Sequence, residues 1–167
     1  LDGEDEAVCE AIFEHYLPRG AGDELPATVT GAICALADKL DTLAGCFAVG
    51  KIPSGSADPY ALRRAALGVL HILQAHRLGF DLPALVDAAV GGVPESALVR
   101  PADEVSVQLL EFFRGRLKSL LVGEGQPTDL AEAVLCAGYS DIFDLRERLN
   151  ALGDLRGSEG FADLMVS

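Results

Sequence analysis

Apolar residues in this chain recur at steps of three and four, and clusters of proline and glycine interrupt the pattern at intervals. Such spacing puts side chains on one face of an α-helix, and no stretch shows the strict alternation of a half-buried strand. An all-α fold is therefore expected. The spacing predicts a first helix over 4–16, ended by Pro18, and a loop over 17–26 with two prolines and two glycines. A second helix is predicted over 28–48, with Ile33, Leu36, Ala37, Leu40 and Leu43 as its apolar stripe. After a loop over 50–57, Asp58 is expected to cap a third helix with Pro59 at its first position, where a missing N–H costs nothing. Leu62, Ala65, Ala66, Val69 and Leu73 form its stripe, and Gly79 is its expected stop.

A short helix is expected over 83–90, closed by Gly91 and Gly92. Residues 91–102 hold two glycines and two prolines and read as a hinge. Asp103 is then expected to cap a long amphipathic helix carrying Val105, Leu109, Phe112, Phe113, Arg116, Leu117 and Leu120. Further helices are predicted at 128–138, 142–153 and 159–166, with Asp144 and Arg148 spaced for an exposed pair on one face.

Charge limits the function. The chain carries 13 basic and 26 acidic residues, a formal charge of −13, and on average repels a nucleic-acid backbone. This argues against a free-standing nucleic-acid binder and leaves room for a local basic patch within a larger assembly. No apolar run approaches the ~20 residues of a membrane span, and the acidic start is unlike a signal peptide. Cys9, Cys34, Cys46 and Cys136 form no CxxC pair and fit no zinc spacing. Cys34 reads as a small buried hydrophobe, and free thiols imply a reducing, cytoplasmic compartment. The chain begins at Leu1 and its one methionine is Met165, so it reads as a piece of a longer protein.

Few residues are candidates for chemistry. His15 in EHYLP, followed by a Gly/Pro loop and a helix bearing Asp38 and Asp41 in ADKLD, is similar to the second half of an HD-superfamily metal site. The His-Asp doublet that such a site needs is missing. In the structural reading, His15 hydrogen-bonds at a helix C-terminus, and Asp38 and Asp41 pair with Lys39, Arg63 or Arg64. Arg63 and Arg64, the one adjacent basic pair, suit either phosphate contact or a structural ion pair. Arg114, Arg116 and Lys118 read as a solvated face. No GxxxxGK[ST], GxGxxG or GxSxG occurs, and Ser54-Gly55-Ser56 is a polar turn with no strand before it.

Segments along nearly the whole chain carry a family resemblance. AIFEHYLPRGAGDELP at 11–26, ADKLDTLAGCFAVGKIPSGSADPYALRRAALGVLHIL at 37–73, LLEFFRGRL at 109–117, and AEAVLC with DLRERLNALGDL within 131–155 resemble, in order, the β subunit of the bacterial two-subunit glycyl-tRNA synthetase. His71 stands where that family usually has arginine. The resemblance implies an HD-like helical bundle whose C-terminal part is 1–90, a hinge at 91–102, and a smaller helical linker region at 103–167, ahead of an anticodon-binding domain that is not included. It implies an α₂β₂ ligase in which the α subunit acts on glycine with ATP and Mg²⁺. The β segment would then bind no cofactor and no metal, catalyse nothing itself, and support tRNA binding and assembly. Lys39, Lys51, Arg63 and Arg64 become the candidates for tRNA or subunit contact, and His15, Asp38 and Asp41 become vestigial HD-like positions. The implied partners are the α subunit and glycine tRNA, in the cytoplasm and away from membranes.

Overall fold

Seven α-helices and one 3₁₀ turn make up the regular structure of residues 3–156, the part of the chain described by the computed structural model. They are α1 (Glu6–Glu14), α2 (Val29–Ala48), α3 (Leu62–Ala75), α4 (Leu82–Gly91), the turn Glu95–Ala97, α5 (Ala102–Gly123), α6 (Thr128–Cys136) and α7 (Ile142–Arg156). Among the described residues the one β feature is an isolated bridge between Ser54 and Ala57, so the all-α expectation holds. The helix expected at 159–166 lies outside the described residues. No described helix is long and apolar enough to cross a membrane.

Local chemistry sets the helix starts. Asp5, Thr28 and Asp81 each accept a first-turn amide from α1, α2 and α4. The third helix starts later than expected. Asp58 accepts from Leu62 N at 2.8 Å and Arg63 N at 3.0 Å, but residues 58–61 form a turn and Ala61 takes the cap position with φ +55°. Pro59 therefore precedes the helix. The fifth helix starts after Pro101, so Asp103 lies inside its first turn, where a carboxylate faces the positive end of the helix dipole. The third helix stops before Gly79. Arg77 takes the left-handed conformation (φ +48°), and Leu78 N bonds Leu73 O at 3.2 Å, closing a Schellman turn without glycine.

Helix α2 sits at the centre and packs on α1, α3, α4 and α5, while α5 joins α3, α4 and α6, and α7 packs on α6 and α3. Its buried stripe runs through Ala32, Ala35, Leu36, Leu40, Leu43, Ala44 and Phe47. Ile33 and Ala37, expected in that stripe, are exposed, and so is Cys34. One core cluster runs from Ala32 to Leu149 and includes Val86, Val90 and Val105 on either side of 91–102. Each fully buried side chain such as Leu43 or Phe113 contributes about 1.5–3 kcal/mol relative to exposure.

The cations of α5 stay partly in solvent, as expected, but neighbouring side chains engage them. Arg114 and Lys118 both reach Glu132 of α6, at 2.7 and 2.5 Å, and Arg116 lies over the Phe112 ring. On α7, Arg148 pairs with Asp144 at 2.8 Å and also donates to Gly138 O at 2.7 Å, so it covers carbonyls at the end of α6. Arg146 pairs with Glu124 and donates to Gln74 at 3.0 Å, joining α7 to α3 and the end of α5.

Candidate functional site

The loop between α1 and α2 is held from both ends. Glu14, the last residue of α1, is buried and turns its carboxylate onto the start of α2. It accepts from Ala27 N at 2.7 Å, Thr28 N at 3.2 Å and the Thr28 hydroxyl at 2.5 Å. The Thr28 bond first, then the two amides and the nearby His76, hold the Glu14 carboxyl below the usual glutamate range. His76, at the end of α3, donates from Nε2 to Pro26 O at 2.7 Å. Asp23 gathers the loop itself, accepting from Arg19 N and Glu24 N and pairing with the Arg19 side chain at 3.1 Å.

Behind this loop α2 presents Lys39, only 6% exposed. Its stem lies against α3 at Gly68, where a Cβ would stand 2.9 Å from Lys39 Cε. The ammonium donates to Tyr16 O at 3.3 Å, and no carboxylate pairs with it among the described residues. Desolvation pulls its pKa below the usual lysine value, against a smaller opposing pull from the charge of Asp38. Lys39 opens into a cleft of about 200 Å³ that Arg19, Asp38, Thr42, Tyr60 and Arg64 also line. Arg64 is exposed and has no ion pair among the described residues.

Tyr60 also borders a second cleft, of about 210 Å³, lined by Lys51, Ile52, Ser54 and Asp58. The Lys51 ammonium stands 4.7 Å from the centre of the Tyr60 ring, a cation–π contact. The two clefts therefore flank one aromatic side chain. Arg63 belongs to neither. Its guanidinium donates to Gly55 O at 2.6 Å, Ala57 O at 3.3 Å and Ser56 O at 3.4 Å, which organises the loop walling the second cleft.

Of the residues singled out from sequence, Lys39, Arg64 and Asp38 meet in one cleft, Lys51 borders the next, and Arg63 is engaged by its own loop. His15 ends α1, and its Nδ1–H donates to Ile12 O at 2.5 Å. Asp38 and Asp41 are exposed, and the pairs expected with Lys39, Arg63 or Arg64 do not form among the described residues. No group of three His, Cys, Asp or Glu side chains is placed to hold a metal ion among the described residues. Sequence reasoning missed Arg19 and Thr42 as lining residues. The Arg19/Asp23 spacing of four, and Thr42 one turn after Asp38 on α2, were the available signals.

Comparison with known proteins gives a consistent result. The family model described as glycyl-tRNA synthetase beta subunit matches residues 1–136. A protein of Syntrophotalea carbinolica named glycine–tRNA ligase beta subunit is 46% identical over 167 residues, covering 100% of this chain and 24% of its own length. Its namesakes in Trichlorobacter lovleyi and Syntrophus aciditrophicus are 48% and 43% identical, over 99% and 100% of this chain and again 24% of theirs. The chain thus spans about a quarter of the length of the curated relatives it matches.

Proposed function

The chain belongs to the glycyl-tRNA synthetase beta subunit family, and from that premise we propose that it is a non-catalytic positioning segment of a glycine–tRNA ligase. The observation that carries the proposal is similarity over the whole chain to proteins named glycine–tRNA ligase beta subunit. In this reading a catalytic α subunit activates glycine with ATP and Mg²⁺ in the cytoplasm. The segment described here helps hold glycine tRNA against it and supports assembly. Residues 1–90 would belong to the HD-like helical domain and 103–167 to the helical linker region, joined through 91–102.

The mechanism is positioning. A few fixed cations on a rigid helical scaffold orient a flexible polyanion and lower the entropic cost of presenting its acceptor end. Lys51 and Arg64, beside Tyr60, are the exposed charges suited to this, and Lys39 is a cation held ready inside the cleft. Arg63 acts at one remove by holding the loop at 54–57. The net charge of −13 fits a segment that contributes local contacts and does not bind tRNA strongly by itself.

The test compares the ligase carrying full-length β subunit with one whose β subunit lacks this segment. Loss of tRNA charging with ATP–pyrophosphate exchange intact supports positioning, and charging that survives the deletion refutes it. Two readings compete: a helical protein-interaction domain, which predicts no effect on charging, and an HD-type metal-dependent phosphohydrolase, resting on His15, Asp38 and Asp41. Stoichiometric manganese or zinc binding by the longer protein would favour the phosphohydrolase.

A further inference from the structure

We infer that the cleft between α2 and α3 is a phosphate-binding site, in which Lys39 and Arg64 supply the charge and Thr42 a hydroxyl donor. Three cations, Arg19, Lys39 and Arg64, line it with one carboxylate, Asp38. Arg19 is largely neutralised by Asp23, which leaves Lys39 and Arg64 against the one exposed carboxylate of Asp38, a local excess of one positive charge. Lys39 is the telling residue. A lysine 6% exposed normally has a carboxylate beside it, because an ammonium taken out of water needs a counter-charge. Here a single carbonyl at 3.3 Å is its bonded acceptor, so two of its three N–H donors remain for another group.

An oxyanion entering the cleft would supply that counter-charge. It would meet the planar fork of Arg64 from α3, the Lys39 ammonium and the Thr42 hydroxyl, with the Tyr60 ring as one wall. A phosphate group offers enough acceptor oxygens to engage all three donors at once. Gly68 is what allows the arrangement, since any larger residue there would push on the Lys39 stem. The phosphate has two sources of the same chemistry: the backbone of a bound RNA, which the proposed function requires, or a free phosphate compound.

The experiment titrates the full 167-residue chain with inorganic phosphate, and with chloride at equal ionic strength, following amide resonances of Lys39, Thr42, Arg64 and Ala65. Saturable shifts specific to phosphate, weakened about tenfold in Arg64→Gln, are expected from loss of a charge-assisted bond. Shifts equal in chloride, or undiminished in Arg64→Gln, overturn the site. A second arm measures tRNA KM in the whole ligase with the same substitution. A raised KM assigns the phosphate to the tRNA backbone. An unchanged KM, when the first arm has shown Arg64-dependent phosphate binding, assigns it to a free phosphate compound and removes this cleft from the positioning account.

Discussion

Two glycines of α2 should respond to the same substitution with opposite sign. Alanine is the better helix former by about 0.8–1 kcal/mol, so propensity alone favours both changes. At Gly45 a new Cβ would meet nothing within 4 Å, and Gly45→Ala should stabilise the chain by about 0.5–1 kcal/mol. At Gly31 a Cβ would stand 1.9 Å from Glu14 Oε2 and 2.7 Å from Glu14 Cβ. The carboxylate can swing away, but Glu14 Cβ is fixed by the backbone of α1, so the α1–α2 contact must open. Overpacking of this kind costs about 1–3 kcal/mol. A displaced Glu14 also loses bonds to Ala27 and Thr28 that contribute about 1–2 kcal/mol. Set against the propensity gain, Gly31→Ala should destabilise by about 2 kcal/mol. For a chain of this length that lowers Tm by about 4–8 °C, while Gly45→Ala raises it by about 2 °C. Urea and thermal unfolding followed by far-UV circular dichroism reads both. A Gly31→Ala chain as stable as wild type would refute the role given to Glu14 and to the close α1–α2 approach.

Glu14→Gln should cost about 1–3 kcal/mol at neutral pH, because one arm of the amide faces N–H donors that need an acceptor. The folded carboxyl is held below 4.5, so its stabilisation is full above that pH and disappears as pH falls through the folded value. The difference between wild type and variant in urea midpoint should therefore shrink in acid. Arg63→Ala should leave global stability within about 1 kcal/mol and speed amide hydrogen exchange at 54–57, since its bonds are to an exposed loop. Lys39→Met should leave stability unchanged or raise it by up to about 1 kcal/mol, because it removes a desolvated charge and keeps the stem. The lysine pKa is lowered on folding, so wild type should gain stability relative to the variant as pH rises towards 10.5.

The helices were legible because amphipathic spacing and loop punctuation are local signals. The starts of α1, α2 and α4 follow from Asp5, Thr28 and Asp81, whose side chains cap in the ordinary way. The misplaced ends have specific causes. Asp58 does reach first-turn amides, but it does so across a turn that puts Ala61 at positive φ, which no side-chain pattern announces. Arg77 occupies a left-handed position where glycine is usual, so Gly79 attracted the stop. On α2 the apolar count favoured Ile33 and Ala37, whereas packing against four other helices selected the phase through Ala32, Ala35 and Lys39 and left the face of Ile33 and Ala37 exposed. Lys39 and Arg64 could be picked out as cations. Their sharing a cleft with Arg19 depends on how the loop folds back over α2, which is a tertiary fact. The Arg114–Lys118–Glu132 contact was hidden for the same reason, since Glu132 is supplied by another helix.

The most direct test of the positioning account reverses charge at the two exposed cations, with Lys51→Glu and Arg64→Glu combined in the β subunit of the whole ligase. Glycylation of tRNA and glycine-dependent ATP–pyrophosphate exchange are then measured on the same preparation. The account predicts a tRNA KM raised about tenfold or more, with exchange unchanged, as expected when phosphate contacts are replaced by repulsion. Charging with wild-type KM would contradict it, and so would an equal loss of exchange.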